Sequence, residues 1–271
     1  MASEAHKLIP QDPEKVTVVN KVAPTILTFA SPFMRFGRIK IGGRATVVKL
    51  ATGSTAIFSP VALTKSVRSE VEALGPIKYI VASDQEHHIF LEDWHKAYPD
   101  AKVLGPDSLP ELRKKQNYFA IPDPRFHAAK KGERFLVDED FDKEFDVEYV
   151  PAHANKELVF NHRPTRTLIE ADLLFNLPAT EQFSKSGVSA TSGILTNLFV
   201  GINNVKSVWQ QRFLWYMASA GDRPDFNKSV GVIEKWDFDR IIPCHGDIIE
   251  TGGKSVFQSV FKWHLDALKK Q

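Results

Sequence analysis

Cysteine is nearly missing from this chain: Cys244 is the only one in 271 residues. That excludes an internal disulfide framework and any zinc cage built from cysteines. Long apolar runs are missing as well. No segment approaches the roughly 18 uninterrupted apolar residues of a transmembrane helix. Neither sign of charge dominates, with 35 Lys and Arg against 33 Asp and Glu, so composition points to no nucleic-acid partner and no membrane partner. The opening residues, "MASEAHKLIPQDPEK", carry no apolar core of the signal-peptide kind. A cytoplasmic protein is the expectation. Internal repeats and low-complexity tracts are also absent.

What is present is the make-up of an ordinary globular chain, 43% apolar and 25% charged. Its length suffices for one large core, and we read residues 1–271 as a single domain. The first third reads as β structure, with "PTILTFA", "RIKIGGRATVVKLA" and "TAIFSP" separated by turn residues. A helix is expected in "SPVALTKSVRSEVEALG", opened by Ser59 and Pro60 and closed by Gly75. Strands and helices then alternate: "IKYIVAS", "IFLEDWHKAYP", "AKVLGP", "DSLPELRKKQ", "KEFDVEYVPAH", and two strands in "KELVFNHRPTRTLIEADLLF". Residues 176–206 are rich in Ser, Asn, Gly and Thr and show little periodicity, which suits a covering insertion or a disordered segment. Helices follow in "VKSVWQQRFLWYMAS" and "FNKSVGVIEKW", then strand "FDRIIPCHGD" and helix "KSVFQSVFKWHLDALKK". The order implies a layered α/β fold.

Four of the nine histidines stand at the ends of expected strands: His87 and His88 in "SDQEHH", His153 in "VPAH", and His245 in "IIPCHGD". Asp172 lies in the strand-like run "TLIEADLLF". Strand ends aim side chains from separate strands at one point, and imidazole with carboxylate suits zinc, iron or manganese. A single one of these residues has a plain reading as a hydrogen-bonded or solvated group; the recurrence is the signal. Asp84 and Glu86 read as solvated loop charges, with a base as the alternative. Trp209, Phe213, Trp215 and Tyr216 have a helical rhythm that reads as core packing, with a pocket wall as the alternative. Cys244 reads as a buried residue, with a reactive thiol as the alternative.

The order "SDQEHH", "VPAH", "IEADLLF", "IIPCHGD" resembles the metallo-β-lactamase superfamily. It is most similar to a divergent, DUF4336-like branch that keeps a His-His pair and lacks the His-x-His pair. The resemblance runs from about residue 25 to about residue 265 and implies a four-layer αββα sandwich. By position, Ser83 and Gln85 stand where the family has its first two metal-loop histidines, and His87 where it has an aspartate. His88, His153, Asp172 and His245 match family ligands, while Ser59 and Pro60 replace an early aspartate. The first metal position then retains only His153. The second becomes His87, His88, Asp172 and His245, so the resemblance implies one divalent metal, zinc first, iron or manganese as alternatives. It further implies a metal-dependent hydrolase of a small-molecule ester, lactone, thioester or related bond. His153 and Asp84 are the expected acid–base residues, and residues 176–206 the cover. The other readings are a metal-poor binding protein on the same fold and a mononuclear iron redox enzyme.

Overall fold

Alternation along the strands sorts side chains into three apolar layers, and that sorting is the fold. Residues 9 and 11–270 are described by the computed structural model; the signal-peptide reading rests largely on residues outside that range. A seven-stranded sheet runs in the order β1 (Val18–Ala23), β2 (Ile26–Ser31), β5 (Gly43–Lys49), β6 (Thr55–Phe58), β7 (Ile77–Val81), β8 (Lys102–Pro106), β9 (Phe126–Ala129). A four-stranded sheet runs β10 (Phe145–Val150), β11 (Glu157–His162), β12 (Thr167–Glu170), β13 (Arg240–Pro243). The small hairpin β3 (Met34–Arg35) and β4 (Ile39–Lys40) stands apart.

Successive strand residues face opposite sides. In the large sheet Val48, Phe58, Tyr79 and Val81 turn inward, and from the smaller sheet Leu158, Phe160, Ile169 and Ile242 meet them. Their neighbours Val47, Ile57 and Ile80 turn outward onto Val67, Val71, Leu91, Trp94 and Leu109 of the helices Lys65–Leu74, Leu91–Ala97 and Leu109–Lys115. On the other side Val159, Leu168 and Ile241 pack on Phe226, Val230, Ile233 and Phe257 of the helices Arg223–Glu234 and Gly253–Val260. The result is helix, sheet, sheet, helix.

Three expectations need correction. The first helix starts at Lys65 rather than near Ser59, because the Thr64 side chain accepts from the Val67 N–H and caps it. Residues 176–206 are neither a plain loop nor featureless: they hold the helices Thr180–Phe183 and Ile194–Ile202. Phe175, Leu177, Ala179, Phe183 and Ala190 pack with Ile41 against Phe33, Met34 and Ile39 of the hairpin region. Periodicity was hidden because the second helix is apolar on nearly every face. The third concerns Trp209 and Tyr216, which are 54% and 62% exposed rather than core. The helix Val208–Phe213 runs into a wider turn at Leu214–Ala218, where Ser219 N–H reaches back five residues to the Leu214 carbonyl. That change of pitch turns Leu214 inward and leaves Tyr216 and Met217 outside.

Candidate metal centre

β12 and β13 are parallel, with Glu170 opposite Pro243, so the residues after them emerge at one edge of the smaller sheet. The segment after β7 arrives at the same place. Ser83 carbonyl accepts from Leu158 N–H at 2.7 Å, and Gln85 N–H donates to the Asn155 carbonyl at 3.0 Å. Those two bonds tie the ends of the two sheets together. Asp172, Cys244, His245 and the Ser83–His88 turn therefore gather at one edge.

The turn is built around Asp84. Its Oδ1 accepts from Glu86 N–H at 2.7 Å, His87 N–H at 2.8 Å and His87 Nδ1 at 2.8 Å. A carboxylate only accepts here, so Nδ1 of His87 carries the proton and Nε2 is left as the donor atom. His245 repeats the arrangement: its Nδ1 lies 2.6 Å from the Gly42 carbonyl, which again frees Nε2. The two freed nitrogens face each other at 3.1 Å. Asp172 Oδ1 lies 3.2 Å from Nε2 of His245.

Two lone pairs at that separation repel unless a proton or a cation stands between them. Two nitrogens bound to one tetrahedral zinc stand about 3.3 Å apart, given bonds of about 2.0–2.1 Å. The donor set therefore fits a metal ion. Two further atoms strengthen the fit. Oδ2 of Asp84 is buried with no hydrogen-bond partner among the described residues, and donor atoms of Asp84, His87 and Asp172 lie within 4.8 Å of one another. The same holds for His87, Cys244 and His245.

Electrostatics agree. Burial pulls the His87 imidazole down, but Asp84, Cys244 and Asp172 outweigh it and hold its pKa well above the ordinary value. His245 is raised in the same way: burial lowers it, and Cys244 and Asp172 more than compensate. Burial pushes the Asp172 carboxyl up, while His87, His245 and His153 hold it far below the ordinary carboxylate range. Burial raises the Cys244 thiol, and His87 and His245 bring it below its ordinary value. Positive charge is what the cluster stabilises.

The expected residues divide. His87, Asp172 and His245 come together with Asp84; His88 does not join them. Arg113 places Nη1 3.0 Å from Nδ1 of His88 and 2.9 Å from its carbonyl, and Tyr118 meets the ring edge to face at 5.1 Å. Burial, then the Arg113 charge, bring its pKa down to about 4. His88 thus faces Arg113 and Tyr118. His153 stands beside the cluster with its own partners. Its Nδ1 accepts from Asn155 N–H at 3.2 Å, its ring stacks on Phe226, and burial lowers its pKa. Glu86 is drawn away to Arg35 Nη1 at 2.6 Å.

Ser83 and Gln85 are engaged elsewhere. Ser59 Oγ donates to Ser83 Oγ at 2.9 Å in the interior, and Gln85 reaches away to Ser108 Oγ at 2.7 Å. Residues that sequence reasoning missed hold the donor cluster in place. Arg44 on β5 sends Nη1 to the Pro243 and Gly246 carbonyls at 2.6 and 2.7 Å and pairs with Glu181 at 2.6 Å. Gln182 also reaches the Gly246 carbonyl, at 2.9 Å. Gly246 has φ +93°, and a Cβ there would stand 2.2 Å from the Asn176 carbonyl oxygen, so only glycine fits. Asn155 donates to Asp172 Oδ2, and Glu157 takes the Ala171 and Asp172 N–H groups at 2.7 and 3.0 Å. Phe175 stacks on His245 at 5.2 Å. Only Cys244 had a sequence signal, its place beside His245.

Comparison with known proteins bears on this geometry. The family described as "Domain of unknown function (DUF4336)" matches residues 33–186, more than half of the chain. No curated protein matches. Among solved structures, the DIM-1 metallo-β-lactamase exposed to ceftazidime is 13% identical with a TM-score of 0.60, covering 93% of this chain and 97% of that one. The FIM-1 metallo-β-lactamase from Pseudomonas aeruginosa in its mono-zinc form is 10% identical, TM-score 0.57, covering 93% and 96%. A flavo di-iron protein variant from Thermotoga maritima is 12% identical, TM-score 0.59, covering 92% of this chain and 62% of that one. At such identities the likeness is one of fold, and the fold is the metallo-β-lactamase sandwich.

Proposed function

The chain belongs to the DUF4336 family on a metallo-β-lactamase fold, and from that premise we propose that it is a metal-dependent hydrolase of a small-molecule ester, lactone, thioester or related bond. One observation carries the reading: Nε2 of His87 and Nε2 of His245 meet at 3.1 Å while both Nδ1 atoms are held by acceptors. His87, His245 and Asp172 would hold a single divalent ion, zinc first and iron or manganese as alternatives, with Asp84 and Cys244 flanking it. Such an ion, when bound, polarises a carbonyl and lowers the pKa of a coordinated water toward neutrality.

The chain's own groups supply the rest. Asp84 orients His87 through Oδ1, a carboxylate–histidine relay of the kind that fixes ligand tautomers. Its unpartnered Oδ2 is the free acceptor beside the site and would take the proton of the attacking water. Asn155 fixes the rotation of Asp172 through Oδ2. Arg35, at the exposed rim and paired with Glu86, would attract an anionic group on the substrate. The segment 176–206, docked on the β3–β4 hairpin through Lys40 N–H to Thr196 Oγ1 at 3.2 Å, would cover the mouth. His153 is a positioning residue in this scheme, not the acid–base group.

The test is hydrolysis of chromogenic ester, lactone and thioester panels by zinc-loaded protein, by chelator-stripped protein and by Asp172→Ala. Turnover that chelation removes, zinc restores and Asp172→Ala lacks is the expected outcome. No turnover on any panel contradicts the reading and favours the non-catalytic, metal-poor binding protein, to which the closed Ser59–Ser83 side already gives support.

A further inference from the structure

The net charge of +2 conceals a strong local bias. Between Glu181 and Asp222 there is no acidic side chain at all, while Lys185, Lys206 and Arg212 lie in the interval. The same interval holds most of the large apolar side chains that are exposed among the described residues. Ile194 is 81% exposed, Leu198 62%, Met217 65% and Tyr216 62%. Leu195, Val208 and Trp209 are exposed beside them. These residues ride on the helices Ile194–Ile202 and Val208–Phe213, which pack on each other, and on the turn that follows. Next to them opens a groove of about 530 Å³ lined by Ile202, Trp209, Arg212, Phe213, Met217 and Trp263. The Arg212 guanidinium lies 4.5 Å over the Trp209 ring, at the lip of that groove.

Exposed apolar surface of this extent calls for a covering partner. A second copy of the chain is disfavoured by symmetry. An isologous dimer sets a patch against itself, so the cations of one copy would meet those of the other with no carboxylate in the segment to pair them. An anionic bilayer has no such conflict. Its headgroups pair with Lys206 and Arg212, its acyl region takes Ile194, Leu198 and Met217, and Trp and Tyr rings favour the boundary between the two. The groove has an apolar floor and an Arg at its rim, the polarity of a single acyl chain ending in a phosphate.

We propose that the face formed by Ile194–Ile202 and Val208–Met217 is an interfacial docking surface for an anionic lipid bilayer. It lies in the surface without crossing it, and no helix among the described residues is long and apolar enough to cross a membrane. The proposal is independent of hydrolysis, and its test reads binding alone.

The experiment is co-sedimentation of the full chain with vesicles of phosphatidylcholine, and of equal parts phosphatidylcholine and phosphatidylglycerol. The chain is expected to sediment with the mixed vesicles and to be released by salt. Lys206→Gln and Arg212→Gln should each weaken binding about 5-fold, from about 1 kcal/mol per cation near the surface. Ile194→Glu with Leu198→Glu should abolish it with no change in melting temperature, since both side chains are already in water. Failure to sediment with the mixed vesicles at low salt overturns the proposal. So does binding that survives Ile194→Glu with Leu198→Glu. A wild-type dimer that these substitutions split, in a chain that ignores vesicles, would assign the face to a second copy instead.

Discussion

His87 occupies a position where an imidazole, taken alone, raises the charge of a metal complex by one unit relative to a carboxylate. The structure returns that unit from the side: Asp84, three residues earlier, sets Oδ1 against Nδ1 of His87. That carboxylate orients the imidazole, and its second oxygen has no partner among the described residues. A different histidine shows what burial without such a partner does. His264 meets Asn227 Oδ1 at 2.7 Å, its Nε2 has no partner among the described residues, and burial with Arg223 nearby pushes it down to about 4. Between pH 6.5 and pH 4 the unfolded chain binds a proton there that the folded chain refuses, so stability falls as the pH falls through that window and is unaffected above it. Urea unfolding at pH 7 and pH 5 should show a loss that is about 2 kcal/mol smaller in His264→Gln than in the native chain. An equal loss in the variant would show that His264 is not the group responsible.

At the scale of elements, the long strands were legible because period-two burial leaves its mark in residues such as Val47 with Val48 and Leu158 with Val159. β3 and β9 were not legible, being two and four residues that pair only in the folded chain. Strand ends showed where the site residues sit, yet not which way each one faces. His87 and His88 are identical in type and adjacent, and only tertiary packing against Arg113 separates them. Cys244 and Asp84 entered the cluster for the same reason, through contacts with His87 that no spacing encodes. Arg44 is the extreme case: from 199 residues away in sequence it carries the Pro243–Gly246 loop. Arg44→Ala removes the Arg44 bonds to the Pro243 carbonyl and Glu181 and leaves the Gly246 carbonyl to Gln182. It should cost about 3 kcal/mol in urea unfolding, and it should lower metal affinity because His245 rides on that loop. Full stability in Arg44→Ala would refute the pinning role.

For the molecule as a whole, about 13% identity to the DIM-1 structure coexists with 93% coverage of this chain. What is shared is the fold; in this chain the site residues gather at the edge where β7, β12 and β13 end. That edge is fixed by parallel pairing of β12 with β13 and by the two bonds joining Ser83 to Leu158 and Gln85 to Asn155. At that edge His87, Asp172 and His245 form a donor cluster, and Ser59 and Ser83 are joined by a hydrogen bond. The exposed helices Ile194–Ile202 and Val208–Phe213 sit beside that cluster, since Phe199 packs on Phe175 and Phe175 stacks on His245.

The central claim is a single metal held by His87, His245 and Asp172. Elemental analysis of the chain purified without added metal, then titrated with zinc, measures it directly. One equivalent is predicted for the native chain and for His88→Asn, in which the amide oxygen can replace Nδ1 toward Arg113, and none for Asp172→Ala. Two equivalents, no binding at all, or loss of the metal in His88→Asn would contradict the account.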